Sequence, residues 1–131
     1  MSYILVVEDD LQFRQMLVQM LRLDGHEVAT AAHGIEALKF LQGATPDVII
    51  TDILMPGMDG VETILELARR GSQIPIIAMS GGRRAITAQF NLESAALLGV
   101  AATLPKPFAR ADLRKAIDRA LHMSQGTVLS R

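Results

Sequence analysis

The chain has no cysteine and no tryptophan, and aromatic residues make up only 4% of it. Without a thiol it can build neither a disulfide framework nor a thiolate metal site, which fits a reducing compartment. No apolar run approaches the ~20 residues that cross a bilayer. The first such run is broken by Glu8, Asp9 and Asp10, too early for a secretory signal. An excess of one charge is missing too. The 13 Lys and Arg stand against 14 Asp and Glu, a formal net charge of −1, so there is no general field to grip a polyphosphate backbone. We therefore expect no membrane insertion, no direct nucleic-acid binding and a cytoplasmic location. What the chain does have is 131 residues, half of them apolar, enough for one domain with a sizeable core but without room for a second output domain.

Short β-branched runs alternate with longer stretches whose apolar residues recur on one helix face. Strands are predicted near residues 3–8, 27–31, 47–52, 74–80 and 100–105, and helices near 11–23, 34–43, 60–70, 84–98 and 109–122. The first helix carries Phe13, Met16, Leu17, Met20 and Leu21 on one stripe, and the last carries Leu113, Ala116, Ile117, Ala120 and Leu121. Gly25, Gly43, Gly71 and Gly99 stand at or just past helix ends, where a left-handed residue without a Cβ is least strained. Strands alternating with helices need right-handed crossovers, which predicts an α/β doubly wound parallel sheet of five strands with helices on both faces. Residues 1–122 are expected to form this domain and residues 123–131 a short frayed tail.

In such a sheet, ligands bind beyond the carboxyl ends of the strands. Three predicted strands deliver charged groups there: Glu8-Asp9-Asp10 after the first, Asp52 at the end of the third, and Lys106, between two prolines, after the fifth. Carboxylates packed together repel, and a hard cation commonly keeps them ionised. An oxygen-only donor set points to Mg²⁺, which prefers one or two carboxylates, waters and phosphate oxygens. Lys106 supplies a point charge for a phosphoryl oxygen, and Ser80, ending the fourth strand, adds a hydroxyl. These are the parts for phosphoryl transfer onto Asp52 as nucleophile. Taken singly, each has a plainer reading: an acidic helix start for Asp10 in particular, a turn-forming Asp, a surface Lys-Pro, a capping Ser. Their joint placement on one rim favours the chemical reading.

The segments Ile4-Leu5-Val6-Val7-Glu8-Asp9-Asp10, Asp47 to Gly60 around Asp52, and Leu104-Pro105-Lys106-Pro107-Phe108 together resemble the receiver domain of two-component response regulators, over about residues 3–122. That resemblance implies a flavodoxin-like strand order 2-1-3-4-5, for which a receiver is a known example. It implies that Asp52 accepts a phosphoryl group from a histidine kinase or histidine phosphotransfer protein. It further implies that Asp9 and Asp52 hold Mg²⁺ with the Leu54 backbone carbonyl while Glu8 acts mainly through a water. Lys106 would hold a phosphoryl oxygen, and Ser80 would move toward another as the switch. Many receivers carry a switching aromatic three residues before the lysine, where this chain has Thr103. In the same family the side chains two after the aspartate and two after the switch hydroxyl tune hydrolysis. Here they are Leu54 and Gly82, which position no water, so a slow loss of the phosphoryl group is expected.

The leading expectation is a stand-alone phosphoacceptor that is not an enzyme on external substrates and that docks a downstream target through the surface from the fourth to the fifth helix. Arg110, Arg114 and Lys115 give that surface a basic patch, whose plainer reading is a solvated face. One alternative is the receiver portion of a longer regulator or hybrid kinase. Another is a binding module that kept the fold without the chemistry. A phosphatase of the haloacid dehalogenase type is disfavoured, since its second Asp, two positions on, is Leu54 here. His26, His33 and His122 are read as structural, and the seven methionines as core filler.

Overall fold

The computed structural model describes residues 1–53, 60–80 and 99–129, with the backbone alone described for Ser80 and residues 124–129. Five strands, β1 (Tyr3–Val7), β2 (Glu27–Ala31), β3 (Val48–Asp52), β4 (Ile76–Ser80) and β5 (Ala102–Pro105), form one parallel sheet in the order β2-β1-β3-β4-β5. The described helices are α1 (Leu11–Leu23), α2 (Gly34–Leu41), α3 (Gly60–Arg69) and α4 (Arg110–Leu129). The predicted helix near 84–98 lies outside the described residues, so α4 corresponds to the fifth helix expected from the sequence.

Pleating divides the strand residues between two cores, because successive side chains leave a strand on opposite faces. Ile4, Val6, Val48, Ile50, Ile77, Met79 and Leu104 pack with Leu17 and Leu21 of α1 and Leu113 and Ile117 of α4. Leu5, Val7 and Ile49 pack on the other face, against Ala37 and Leu38 of α2 and Leu67 of α3. The near-continuous apolar runs of β1 and β3 are thus what a strand covered on both faces requires. Both one-sided helix stripes read from the sequence meet the same sheet face except at Met16, which is exposed; Met1 and Met123 are exposed too, so these three methionines are not the core filler expected of them.

The helix ends follow local chemistry. Asp10 caps α1, its Oδ1 accepting from the Phe13 N–H at 3.1 Å. His33 caps α2 through Nδ1, which accepts from the Glu36 N–H at 3.3 Å, while Glu36 accepts from the Ala32 N–H at 2.9 Å. Gly25, Gly71 and Gly99 adopt the left-handed conformation expected of them, with φ of 86°, 77° and 82°. Gly43 does not: α2 ends in a tightened turn instead, Gln42 and Gly43 donating to Lys39 and Phe40 carbonyls at 3.2 Å, which needs no left-handed residue. The expected tail also differs, since the α4 backbone stays helical to Leu129, beyond Leu121, the last residue of its stripe packed on the core. No proline interrupts that stretch, so nothing in the backbone chemistry ends the helix at 122.

Of the basic group on α4, Arg114 and Lys115 are exposed, as the solvated-face reading has them, while Arg110 and Arg114 also pair with the Asp24 carboxylate that follows α1. Arg114 meets Asp24 at 2.8 and 3.1 Å. The Arg114 hydrogen bonds first, and those of Arg110 next, hold the Asp24 carboxyl well below the usual carboxylate range. This pairing joins the two helices that share one sheet face.

Gly60 opens α3 where the chain returns past the end of β3. A Cβ there would stand 2.1 Å from the Asp52 carbonyl oxygen and 2.4 Å from the Ile53 Cα, both backbone atoms that cannot rotate aside. Gly60→Ala is expected to destabilise the domain by about 1–3 kcal/mol, the usual range for overpacking. Urea denaturation checks this, and an unchanged midpoint with an unchanged slope would contradict it.

Candidate functional site

The pleat that divides the cores also aims the site. Along β1 the residues facing α1 are Ile4 and Val6, and along β3 they are Val48 and Ile50. One further step of the same alternation brings Glu8 and Asp52 to that face, just beyond the apolar layer. Along β5, Leu104 faces the same way and Lys106 is the next residue in phase. Three strand ends therefore deliver two carboxylates and one ammonium to one point. Lys106 Nζ lies 2.5 Å from Glu8 Oε1 and 2.6 Å from Asp52 Oδ2.

These groups are scarcely hydrated, with relative exposures of 1% for Glu8 and 4% for Asp52. Burial pushes the Glu8 carboxyl up from an ordinary 4.5 to about 7, repulsion from Asp52 adds to the rise, and the Lys106 hydrogen bond opposes it. For Lys106, burial works against the charge, but hydrogen bonds to Asp52 and Glu8 and the attraction of both carboxylates outweigh it and raise its pKa. One ammonium thus serves two acids and does not fully compensate the more buried of them. Backbone contacts fix Glu8 further: its Oε2 accepts from the Asp10 N–H at 3.1 Å, and its carbonyl accepts from Arg14 Nη1 at 2.7 Å.

The three acids expected to bind metal come together: one carboxylate oxygen from each of Glu8, Asp9 and Asp52 lies within 4.8 Å of the others. Asp9 is exposed and Asp10 is occupied as the cap of α1, in keeping with the helix-start reading given to Asp10 from the sequence. Ser80 ends β4, paired in register with Pro105, the residue before Lys106. Thr103 is exposed on β5 in register with Ala78, and the pleat puts it on the sheet face opposite Lys106. Leu54 and Gly82 lie outside the described residues.

Sequence reasoning missed three contributors. Phe13 was legible only as part of an apolar stripe, yet its ring centroid lies 4.1 Å from Lys106 Nζ. Arg14 carries no motif, because its partner is a backbone carbonyl six residues back. The close approach at Gly60 shows only in three dimensions, although a glycine at a predicted helix start after a strand-end acid is a signal of the right kind.

A family model described as "Response regulator receiver domain" matches residues 4–118. The chain is 41% identical to the transcriptional regulatory protein AfsQ1 of Streptomyces coelicolor over 96 residues, 73% of this chain and 42% of that protein. It is 34% identical to the CpxR homolog of Haemophilus influenzae over 124 residues, 95% of this chain and 52% of that one. The chain thus spans about half the length of these curated relatives or less. Among solved structures, the chemotaxis protein CheY4 of Vibrio cholerae superimposes with a TM-score of 0.81 at 34% identity, covering 92% of this chain and 99% of that one.

The raised pKa of Glu8 gives stability a definite pH dependence. Between about 4.5 and about 7 the folded protein holds a proton on Glu8 that the unfolded chain has lost, so stability falls as pH rises through this window. Without divalent ions, the drop between pH 5 and pH 8 is expected to be on the order of 2 kcal/mol larger in the wild type than in Glu8→Gln. Urea denaturation at both pH values measures it. Equal drops in the two proteins would show that Glu8 does not titrate in this window.

Proposed function

The chain belongs to the family of response regulator receiver domains, signalling domains of two-component systems, and on that premise we propose that Asp52 accepts a phosphoryl group from a histidine kinase or a histidine phosphotransfer protein. The observation that supports this reading most is the Asp52 carboxylate at a strand end, 2.6 Å from the Lys106 ammonium. In the step proposed, an Asp52 carboxylate oxygen forms the new bond to phosphorus as the phosphorus–nitrogen bond of the phosphohistidine breaks, its electron pair leaving on the imidazole. Lys106 holds an oxygen of the transferring group by charge and hydrogen bonding, where low hydration strengthens both. Glu8 keeps Lys106 at the rim from the other side. Ser80, at the end of β4, is the proposed switch hydroxyl, and Thr103, three residues before Lys106, takes the position where many receivers have an aromatic.

The oxygen donors of Glu8, Asp9 and Asp52 fit a hard cation, and Mg²⁺ is the proposed one, with the Leu54 carbonyl completing the protein's share. When bound, the ion would neutralise charge that gathers on the phosphoryl oxygens. No turnover of an external substrate is proposed. The output is a change in the binding of a downstream protein through the surface from the segment after β4 to α4. Among the described residues no helix is long and apolar enough to cross a membrane. We propose a stand-alone protein that makes no direct contact with nucleic acid. The second reading, the receiver portion of a longer regulator, is favoured by the relatives' length, and the size of the native gene product separates the two.

Incubation with acetyl phosphate and Mg²⁺ is expected to add one phosphoryl group to the wild type and none to Asp52→Asn, read by intact mass. Chelation of the metal should stop the reaction. Asp9→Ala should weaken Mg²⁺ binding more than Asp10→Ala, because Asp10 is engaged as a helix cap. The label should then be lost slowly, given Leu54 and Gly82 at the tuning positions. Undiminished labelling of Asp52→Asn would overturn the assignment.

A further inference from the structure

Lys106 has a third neighbour besides its two carboxylates. The Phe13 ring, from the first turns of α1, presents its face to the ammonium with the centroid 4.1 Å from Nζ. The ring is itself fixed on two sides. Its backbone N–H is held by the capping Asp10 at 3.1 Å. Its π-system packs edge to face on Phe108, with centroids 5.8 Å apart and planes at 86°. Phe108 follows Lys106 by two residues, so the ring is tied both to the helix and to the segment that carries the lysine.

We propose that Phe13 is a positioning residue for Lys106, its aromatic face holding the ammonium in the gap between Glu8 and Asp52 where a phosphoryl oxygen is to be met. This rests on the phosphoacceptor reading given above. The physical need is specific. A lysine ammonium is a compact charge on a flexible four-carbon stem, and nothing in its own chemistry keeps it in one place. Two carboxylates at 2.5 and 2.6 Å both attract it, and drift toward Glu8 would break the Lys106–Asp52 ion pair. An aromatic face attracts a cation without competing for its hydrogen bonds, most strongly where water is scarce, and the Lys106 side chain is only 13% exposed. A leucine would fill comparable space with no such attraction, so a mere packing role and a positioning role can be told apart.

The test compares wild type, Phe13→Tyr, which keeps an aromatic face, and Phe13→Leu, which keeps apolar bulk. The first readout is nuclear magnetic resonance of the lysine side chains. The Lys106 Cε protons should resonate upfield of ordinary lysines in the wild type and in Phe13→Tyr, and should return to the ordinary position in Phe13→Leu. The second is the rate constant for phosphorylation by phosphoramidate at saturating Mg²⁺. It should fall about three- to tenfold in Phe13→Leu and stay within about twofold of wild type in Phe13→Tyr. An ordinary Lys106 shift in the wild type would overturn the proposal, and that measurement needs no variant to fold. So would Phe13→Leu reacting at the wild-type rate. A wild type that acquires no phosphoryl group at all would instead strike the phosphoacceptor reading, leaving the ring-current shift to decide the placement of Lys106.

Discussion

Two buried carboxylates, Glu8 and Asp52, both pair with the Lys106 ammonium at the carboxyl edge of the sheet, and this shared contact ties together the described residues around them. A buried ion is costly unless it is paired and hydrogen-bonded. Here the cation is fully used: it is in contact with both acids and with the face of Phe13. Glu8, the more buried acid, bears the deficit as a raised pKa. The carboxylate oxygens that Glu8, Asp9 and Asp52 bring together are of the kind a hard divalent cation takes as ligands.

The fold serves this arrangement through its repeats of two and of 3.6 residues. Parallel strands in register put Glu8, Asp52 and Lys106 at neighbouring edges, and the pleat sends all three to the face that α1 and α4 cover. The same α1 contributes the Asp10 cap, the Phe13 ring and the Arg14 contact to the Glu8 carbonyl. The Asp24 pairing with Arg110 and Arg114 then joins that helix to α4 at its other end. On the opposite side, the absent side chain of Gly60 lets α3 begin against the Asp52 backbone. The cluster of Glu8, Asp52 and Lys106 is therefore a consequence of strand phase, and the residues packed around it come from helices on both faces.

Strand phase is also why so much was legible. Apolar runs ending in Asp52, in Glu8-Asp9-Asp10 and at Lys106 mark strand ends in any doubly wound sheet, and the observed order 2-1-3-4-5 brings those ends together. Asp10 reads from the sequence as a helix start in particular, and the first helix turn does take it as its cap, since its side chain accepts from the Phe13 N–H. Sequence alone could not foresee that Arg110 and Arg114 answer to Asp24, since 86 and 90 residues separate the partners and neither spacing has a local signature. Gly43 was misread because a helix can also end in a tightened turn, a choice that composition does not encode. Phe13 was hidden by its own hydrophobicity: an aromatic on an apolar stripe looks the same whether it meets a methyl group or an ammonium.

The shared ammonium is tested most directly by a double-mutant cycle of Glu8→Gln and Lys106→Met, measured by urea denaturation near pH 8 without divalent ions, where Glu8 is largely ionised. In the wild-type background Lys106→Met removes the ammonium from two buried carboxylates and is expected to cost about 3–5 kcal/mol. With Glu8 already neutral it removes the ammonium from one carboxylate only, so the same substitution should cost at least about 1 kcal/mol less. Effects that simply add, to within about 0.5 kcal/mol, would mean that Glu8 and Asp52 do not depend on one lysine, and the account of the site would fail.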